Sequence, residues 1–232
     1  MRNKKALSLL EVIISIAIFS FLLTICNIIL NRALVASSHG SATTSAGNEA
    51  VKGISWLISD MSETSASSVT MLDKGNNQIT LPYMSSNVIE VSHISLLSGF
   101  DTNTLKIEYT ETFPPLIKWK YYVLYFLAPY KNDTYRLYRK LYKNDVTYEN
   151  TFKKFYPVPM SAADLQSQST TGGTGEFKER SVAKNIYNLE LVEQSGNRCT
   201  LRVTASESAR NVVSVRVTRT FTVVMNNTIK GK

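Results

Sequence analysis

Glu11 is the residue of this 232-residue chain whose setting demands chemistry. It lies inside the run LSLLEVIISIAIFSFLLTICNIIL, and no charged residue follows it from Val12 to Leu30. A carboxylate at the centre of a bilayer costs roughly 2.5–3.5 kcal/mol on insertion scales. Near the N-terminus of a helix the cost falls, because the macrodipole favours an anion there. What remains calls for a counter-ion. The downstream apolar run holds no basic residue, so the partner comes from before Leu7 or from another molecule.

The element that must carry Glu11 is a long apolar helix. Leu7 to Leu30 spans about 36 Å at a rise of ~1.5 Å per residue, enough to cross a bilayer. Arg2, Lys4 and Lys5 precede the run, which places the N-terminus in the cytoplasm and the remainder outside. Two plainer readings compete. A secretory signal could end near Leu34-Val35-Ala36, but its apolar region would normally run about 7–15 residues without an acidic group. A simple single-span anchor would leave Glu11 unexplained.

The string KKALSLLEV resembles the leader-peptidase site of type IV prepilins and pseudopilins. In that family a short cationic leader ends in a small residue, usually Gly, and the mature chain begins with an apolar residue, often Phe, with Glu fifth. The resemblance implies a leader Met1–Ala6, cleavage between Ala6 and Leu7, N-methylation of Leu7, and Glu11 as the fifth mature residue; Ala6 stands for Gly and Leu7 for Phe. Cleavage would free an α-amine with a reference pKa of about 7.7–8.0. Leu7 and Glu11 are i and i+4, so amine and carboxylate share a helix face and can pair within one chain. In the family, Glu11 of an incoming subunit meets instead the amine of a neighbour, and low dielectric strengthens that pairing and sets register.

Beyond Arg32, residues Ala33–Thr64 are rich in Ser, Ala and Thr and contain no Pro. Val51, Ile54, Leu57, Ile58 and Met61 follow helical spacing, an apolar stripe expected to pack against a sheet, which extends the helix from Leu7 to about Ser65, with Gly40 and Gly47 as kink points. The competing reading is two helices joined by a flexible segment around Ser37–Gly47. From Ser68 the pattern turns to strands: Val88–Leu97, Leu105–Tyr109, Ile117–Leu127, Tyr135–Tyr142, Ile186–Glu193, Thr200–Thr204 and Val212–Val224. Lys131-Asn132-Asp133 predicts the turn of a long hairpin, Ile117–Tyr142, and Gly196-Asn197 a second turn. The polar stretch Ser161–Gly175 predicts a mobile loop. The expectation is an α+β chain, a long N-terminal helix packed on an antiparallel β-sheet head, divided as 1–6 leader, 7–33 transmembrane and assembly helix, 34–67 second half of the helix, and 68–232 head with flexible loop 161–175.

Other chemistries are poorly supplied. The formal net charge is +8, and Arg2, Lys4 and Lys5 contribute three of the surplus charges, too little left over to imply nucleic acid by itself. Two histidines, His39 and His93, make neither a metal site nor a catalytic triad, and there is no Gly-rich phosphate loop. Cys26 falls in the membrane helix and Cys199 at the start of a strand, so a bridge between them is not expected, and each reads as a small buried hydrophobe. No catalytic, cofactor-binding or metal site is expected, and no enzymatic activity. One basic-aromatic set interleaves Tyr121, Tyr122, Tyr125, Tyr130, Tyr135, Arg136, Tyr138, Arg139, Lys140, Tyr142 and Lys143; a second comprises Arg202, Arg210, Arg216 and Arg219. Such sets can bind nucleic acid, but strand alternation favours aromatics inward and charges solvated.

The head resembles more narrowly the J-type pseudopilins and W-type minor pilins. The cues are an aromatic strand, a turn, Leu137-Tyr138-Arg139, and then Asn185-Ile186-Tyr187-Asn188-Leu189. This implies a minor pilin at or near the tip of a type IV pilus, helping to initiate fibre assembly; the alternatives are a secretion or competence pseudopilin, or a tip adhesin or DNA-binding subunit. Implied partners are major and minor pilins, the prepilin peptidase, the inner-membrane assembly platform, membrane lipid before assembly and, least favoured, DNA. The implied location is the membrane as a single-pass protein, then the cell-surface pilus.

Overall fold

The computed structural model describes residues 9–98, 100–101, 106–107, 121–131, 133–143, 159–169, 179–209 and 214–225. The first element is one unbroken helix, α1 (Leu9–Ser62), of 54 residues. At ~1.5 Å per residue it is about 80 Å long. Neither Gly40 nor Gly47 interrupts it, so the two-helix reading of Ser37–Gly47 does not hold. With no Pro between Leu9 and Ser62, every interior amide can join the i to i−4 ladder, and the isolated glycines Gly40, Gly47 and Gly53 cost only about 1 kcal/mol each.

A short 3₁₀ turn, Ala66–Ser68, leads into the head. Its strands are β1 (Thr70–Asp73), β2 (Ile89–Ser98), β3 (Phe100–Asp101), β4 (Lys106–Ile107), β5 (Tyr121–Pro129), β6 (Tyr135–Lys143), β7 (Glu179–Ser195), β8 (Arg198–Glu207) and β9 (Val215–Val224). Seven of them form one antiparallel sheet in the order β1-β2-β5-β6-β7-β8-β9, while β3 and β4 pair separately. Strand neighbours in the large sheet are also neighbours in the list of its strands along the chain, the simplest wiring for an antiparallel layer. The β5–β6 hairpin is the one expected from the turn residues: the Thr134 amide donates to the Lys131 carbonyl at 2.8 Å, and Asp133 sits at φ 59°. Past the hairpin's tip the sheet closes again, with Ile89 and Glu90 of β2 meeting Leu191 and Glu190 of β7.

The sequence stripe on the second half of α1 needs correction. Val51 and Ile58 are exposed, and the buried face is Ala42, Ala46, Glu49, Ala50, Gly53, Leu57 and Met61. Small residues lead and large ones follow because α1 crosses the sheet obliquely and closely. Gly47 lies beside Val217 of β9. A Cβ on Gly53 would stand 3.3 Å from Leu137 Cδ2 of β6 and 3.4 Å from Ala183 Cβ of β7. The helix ends near β5 and β6, where Asp60 meets Tyr125 and Arg139, and Leu57 and Met61 share the main core with Val123, Tyr125, Leu137, Ile186, Leu201 and Val203.

The stretch Ser161–Gly175 also departs from expectation. Ala162–Gln168 is a helix, α2, and residues 170–175 lie outside the described residues. Ser161 caps it: its hydroxyl accepts from the Asp164 amide at 3.1 Å and donates to Asp164 Oδ2 at 2.6 Å. Leu165 and Met160 then bury against Leu72, Leu97, Tyr122 and Leu124 on the side of the sheet away from α1. At its far end, Lys140 of β6 donates to the Gln168 carbonyl at 2.9 Å. This is why β5 is buried without alternation from Tyr122 to Phe126: helices cover both of its faces.

Replacing Gly53 by Leu should lower head stability by about 1–3 kcal/mol, even though Leu favours helix, because the added carbons enter a filled contact. Urea unfolding followed by near-ultraviolet circular dichroism, with the protein in detergent micelles, measures it; an unchanged midpoint would refute the close approach.

Candidate functional site

The first half of α1 is apolar and uncovered. From Leu9 to Ser37 every residue is exposed, including Leu9, Ile16, Phe19, Phe21, Ile29 and Leu30. By length and composition this part of α1 can cross a membrane, and none of it is buried within the chain. Apolar patches on soluble monomers rarely exceed a few hundred Å². A surface of this extent needs lipid or other helices around it.

The polar residues of that half are arranged for such surroundings. Ser15 donates to the Glu11 carbonyl at 2.7 Å, and Thr24 to the Ser20 carbonyl at 2.9 Å. Each hydroxyl is satisfied one turn back, so it carries no open donor into hydrocarbon. Glu11 sits in the first turn, where the helix dipole favours an anion. Ala6 and Leu7, the expected cleavage and methylation positions, lie outside the described residues.

The head holds α1 by an ionic anchor that sequence reasoning missed. Asp60, on the last turns of α1, accepts from Arg139 Nε at 2.6 Å and from Arg139 Nη2 at 3.0 Å. The Tyr125 hydroxyl also donates to Asp60 Oδ2. Burial, and then the Asp60 charge, push the Tyr125 phenol well above its usual range, so it stays a neutral donor. Arg139 is held above its already high value by Asp60, against the pull of burial. The Arg139 guanidinium also lies 5.2 Å from the Trp56 ring centroid. A fork-on-carboxylate geometry of this kind fixes orientation as well as position. Glu63 stands nearby, and burial followed by repulsion from Asp60 raises its pKa.

The basic-aromatic set of β5 and β6 is thereby dispersed. Arg139 is committed to Asp60, Lys140 to the end of α2, and Arg136 lies 4.1 Å from the Tyr130 ring. Tyr122 and Tyr125 are buried on opposite faces of β5. In the second set, Arg202 pairs with Glu190 at 3.3 Å and Arg216 stacks 3.6 Å from the Tyr187 ring, while Arg210 lies outside the described residues.

The two histidines lie on different elements, β2 and α1. His93 Nδ1 is 2.7 Å from Ser92 Oγ, but that hydroxyl already donates to the Asp73 carbonyl. It therefore accepts from a neutral imidazole, whose pKa burial lowers. His93 stacks on Phe126, which stacks on Tyr138. His39 lies on α1, and its carbonyl accepts from Thr43 at 2.9 Å. Cys26 is exposed on α1; Cys199 is buried, and burial pushes its thiol up to about 12, which keeps it protonated and inert.

Residues 1–26 match the family model described as the prokaryotic N-terminal methylation motif. No curated protein and no solved structure matches the chain. The motif supports a prepilin of the type IV pilin and pseudopilin kind, with processing by a prepilin peptidase and assembly with other pilins.

Two outcomes follow from the anchor. Asp60→Asn leaves Arg139 without its carboxylate and should cost about 3 kcal/mol in urea unfolding. Glu63→Gln should have the opposite sign. A carboxyl whose folded pKa is raised weakens the fold once it ionises, so the variant gains stability at neutral pH. That gain should shrink to nothing as pH falls below the carboxylate range, and paired unfolding curves at pH 7 and pH 3.5 test it.

Proposed function

We propose that the chain is a minor pilin of a type IV pilus, incorporated at or near the tip and helping to start fibre assembly. The observation that carries this reading is Glu11: an acid in the first turn of an exposed apolar helix, inside a matched methylation motif. The role is structural, and the chain's own chemistry is that of a peptidase substrate.

In this reading the leader peptidase cuts the Ala6–Leu7 bond and frees the Leu7 amine, which is then methylated and stays able to carry charge. The subunit waits in the membrane with Glu11 near the cytoplasmic face. On assembly the apolar half of α1 exchanges lipid for neighbouring helices. Glu11 meets the amine of an adjacent subunit, and a slip of one turn would leave two charges unmatched in hydrocarbon. The size of the head, compared with what a repeating shaft needs, favours a terminal position.

The test is the intact mass of protein extracted from membranes, with fibre counts beside it. A chain beginning at Leu7, with or without one methyl group, is expected. Glu11→Ala should keep that N-terminus and reduce incorporation into fibres at least severalfold. Recovery of an uncut chain, or of one starting beyond position 30, would overturn the reading.

A further inference from the structure

Among the described residues, the first half of β7 has a strand neighbour on one side only. Glu179–Ala183 pairs with β6, and pairing with β8 begins at Ile186. At Asn185 the backbone takes φ 57°, the left-handed region, and its side chain donates to Glu207 Oε2 at 2.5 Å, where β8 ends. Among the described residues, no strand pairs with the other side of Arg180–Lys184.

That side opens onto a groove of about 430 Å³ lined by Glu49, Lys52, Trp56 and Arg180–Lys184. Glu49, Lys52 and Trp56 recur at i, i+3 and i+7, so one flank of α1 makes a wall and the start of β7 the other. The Lys184 amide points across this gap and donates to Glu49 Oε2 at 2.8 Å. A helix carboxylate therefore already accepts from this strand, as an added strand's carbonyl would.

Charge selects the occupant. Arg180 and Lys184 have exposed side chains, and Lys52 stands on the opposite wall. Glu49 is the groove's anion, and its two oxygens are committed, Oε1 to Lys52 Nζ at 2.7 Å and Oε2 to the Lys184 amide. Arg180 lies 5.2 Å from the Trp56 ring centroid, which holds its guanidinium at the groove's rim. The residual field is positive beside a strand edge that no other strand pairs among the described residues.

We infer that this groove takes an extended acidic peptide segment of a partner protein, added as a strand along Arg180–Lys184, with its carboxylates on Arg180 and Lys184. Five residues of edge, at ~3.3 Å each, accommodate about that many residues of partner. Main-chain bonds supply affinity and the basic side chains supply selection. The inference stands on the head and does not depend on the pilin reading.

The experiment uses the full chain in detergent micelles and three synthetic decapeptides. One alternates Val and Thr with Glu, the second carries Lys at the Glu positions, and the third is the Glu peptide with alternate backbone amides methylated. Trp56 fluorescence reports binding, with Trp56→Phe identifying the signal. The Glu peptide should bind about tenfold or more tightly than either of the others. Arg180→Glu with Lys184→Glu should abolish that preference and favour the Lys peptide, while far-ultraviolet circular dichroism stays unchanged, since both side chains are exposed. Three results would each overturn the inference: equal binding of the Glu and Lys peptides, full binding of the methylated peptide, or no binding of the Glu peptide at millimolar concentration. Self-association of the chain that the charge reversal removes would instead assign the groove to a second copy.

Discussion

An apolar rod that its own chain does not cover governs this molecule. The same helix is exposed from Leu9 to Ser37 and buried along one stripe from Ala42 to Met61. A soluble protein would fold a second layer over the first half. Here the sheet meets the helix only where small residues let it approach, and the large apolar side chains nearer the N-terminus are left for another environment. That single asymmetry accounts for the long uninterrupted α1, for hydroxyls satisfied within it, and for an acid placed where a dipole tolerates it.

Holding a rod of about 80 Å by one end requires more than apolar contact, which is non-directional. The Asp60–Arg139–Tyr125 cluster supplies direction. It joins the last turns of α1 to the two strands of the central hairpin, and Trp56 covers the guanidinium. With α2 against the reverse face of β5, that strand is enclosed by helix on both sides. The dispersal of the basic side chains is a by-product: cations that look like a set along the sequence are used singly to tie elements together.

Periodicity made some features legible and hid others. The apolar run, Glu11 and the turn residues around Asp133 and Gly196 carry strong local signals, and the helix and the β5–β6 and β7–β8 connections came out as expected. The buried stripe of α1 was misjudged because burial there follows from how near the sheet comes, so Ala42, Ala46, Ala50 and Gly53 are inside while Ile58 is out. The helix α2 was hidden by polar composition, although Ser161-Ala162-Ala163-Asp164 is a capping signature that could have flagged it. Asp60 could not be matched with Arg139 from spacing alone, since 79 residues separate them. The edge of β7 becomes visible only once the register with β8 is known to start at Ile186.

The oblique crossing of α1 has a mechanical corollary. Traction applied to the N-terminal end of the rod acts along the helix axis, so it slides α1 over the sheet rather than peeling it away strand by strand. Contacts along the stripe from Ala42 to Met61 and the Asp60 fork then resist together, in shear, instead of failing one after another.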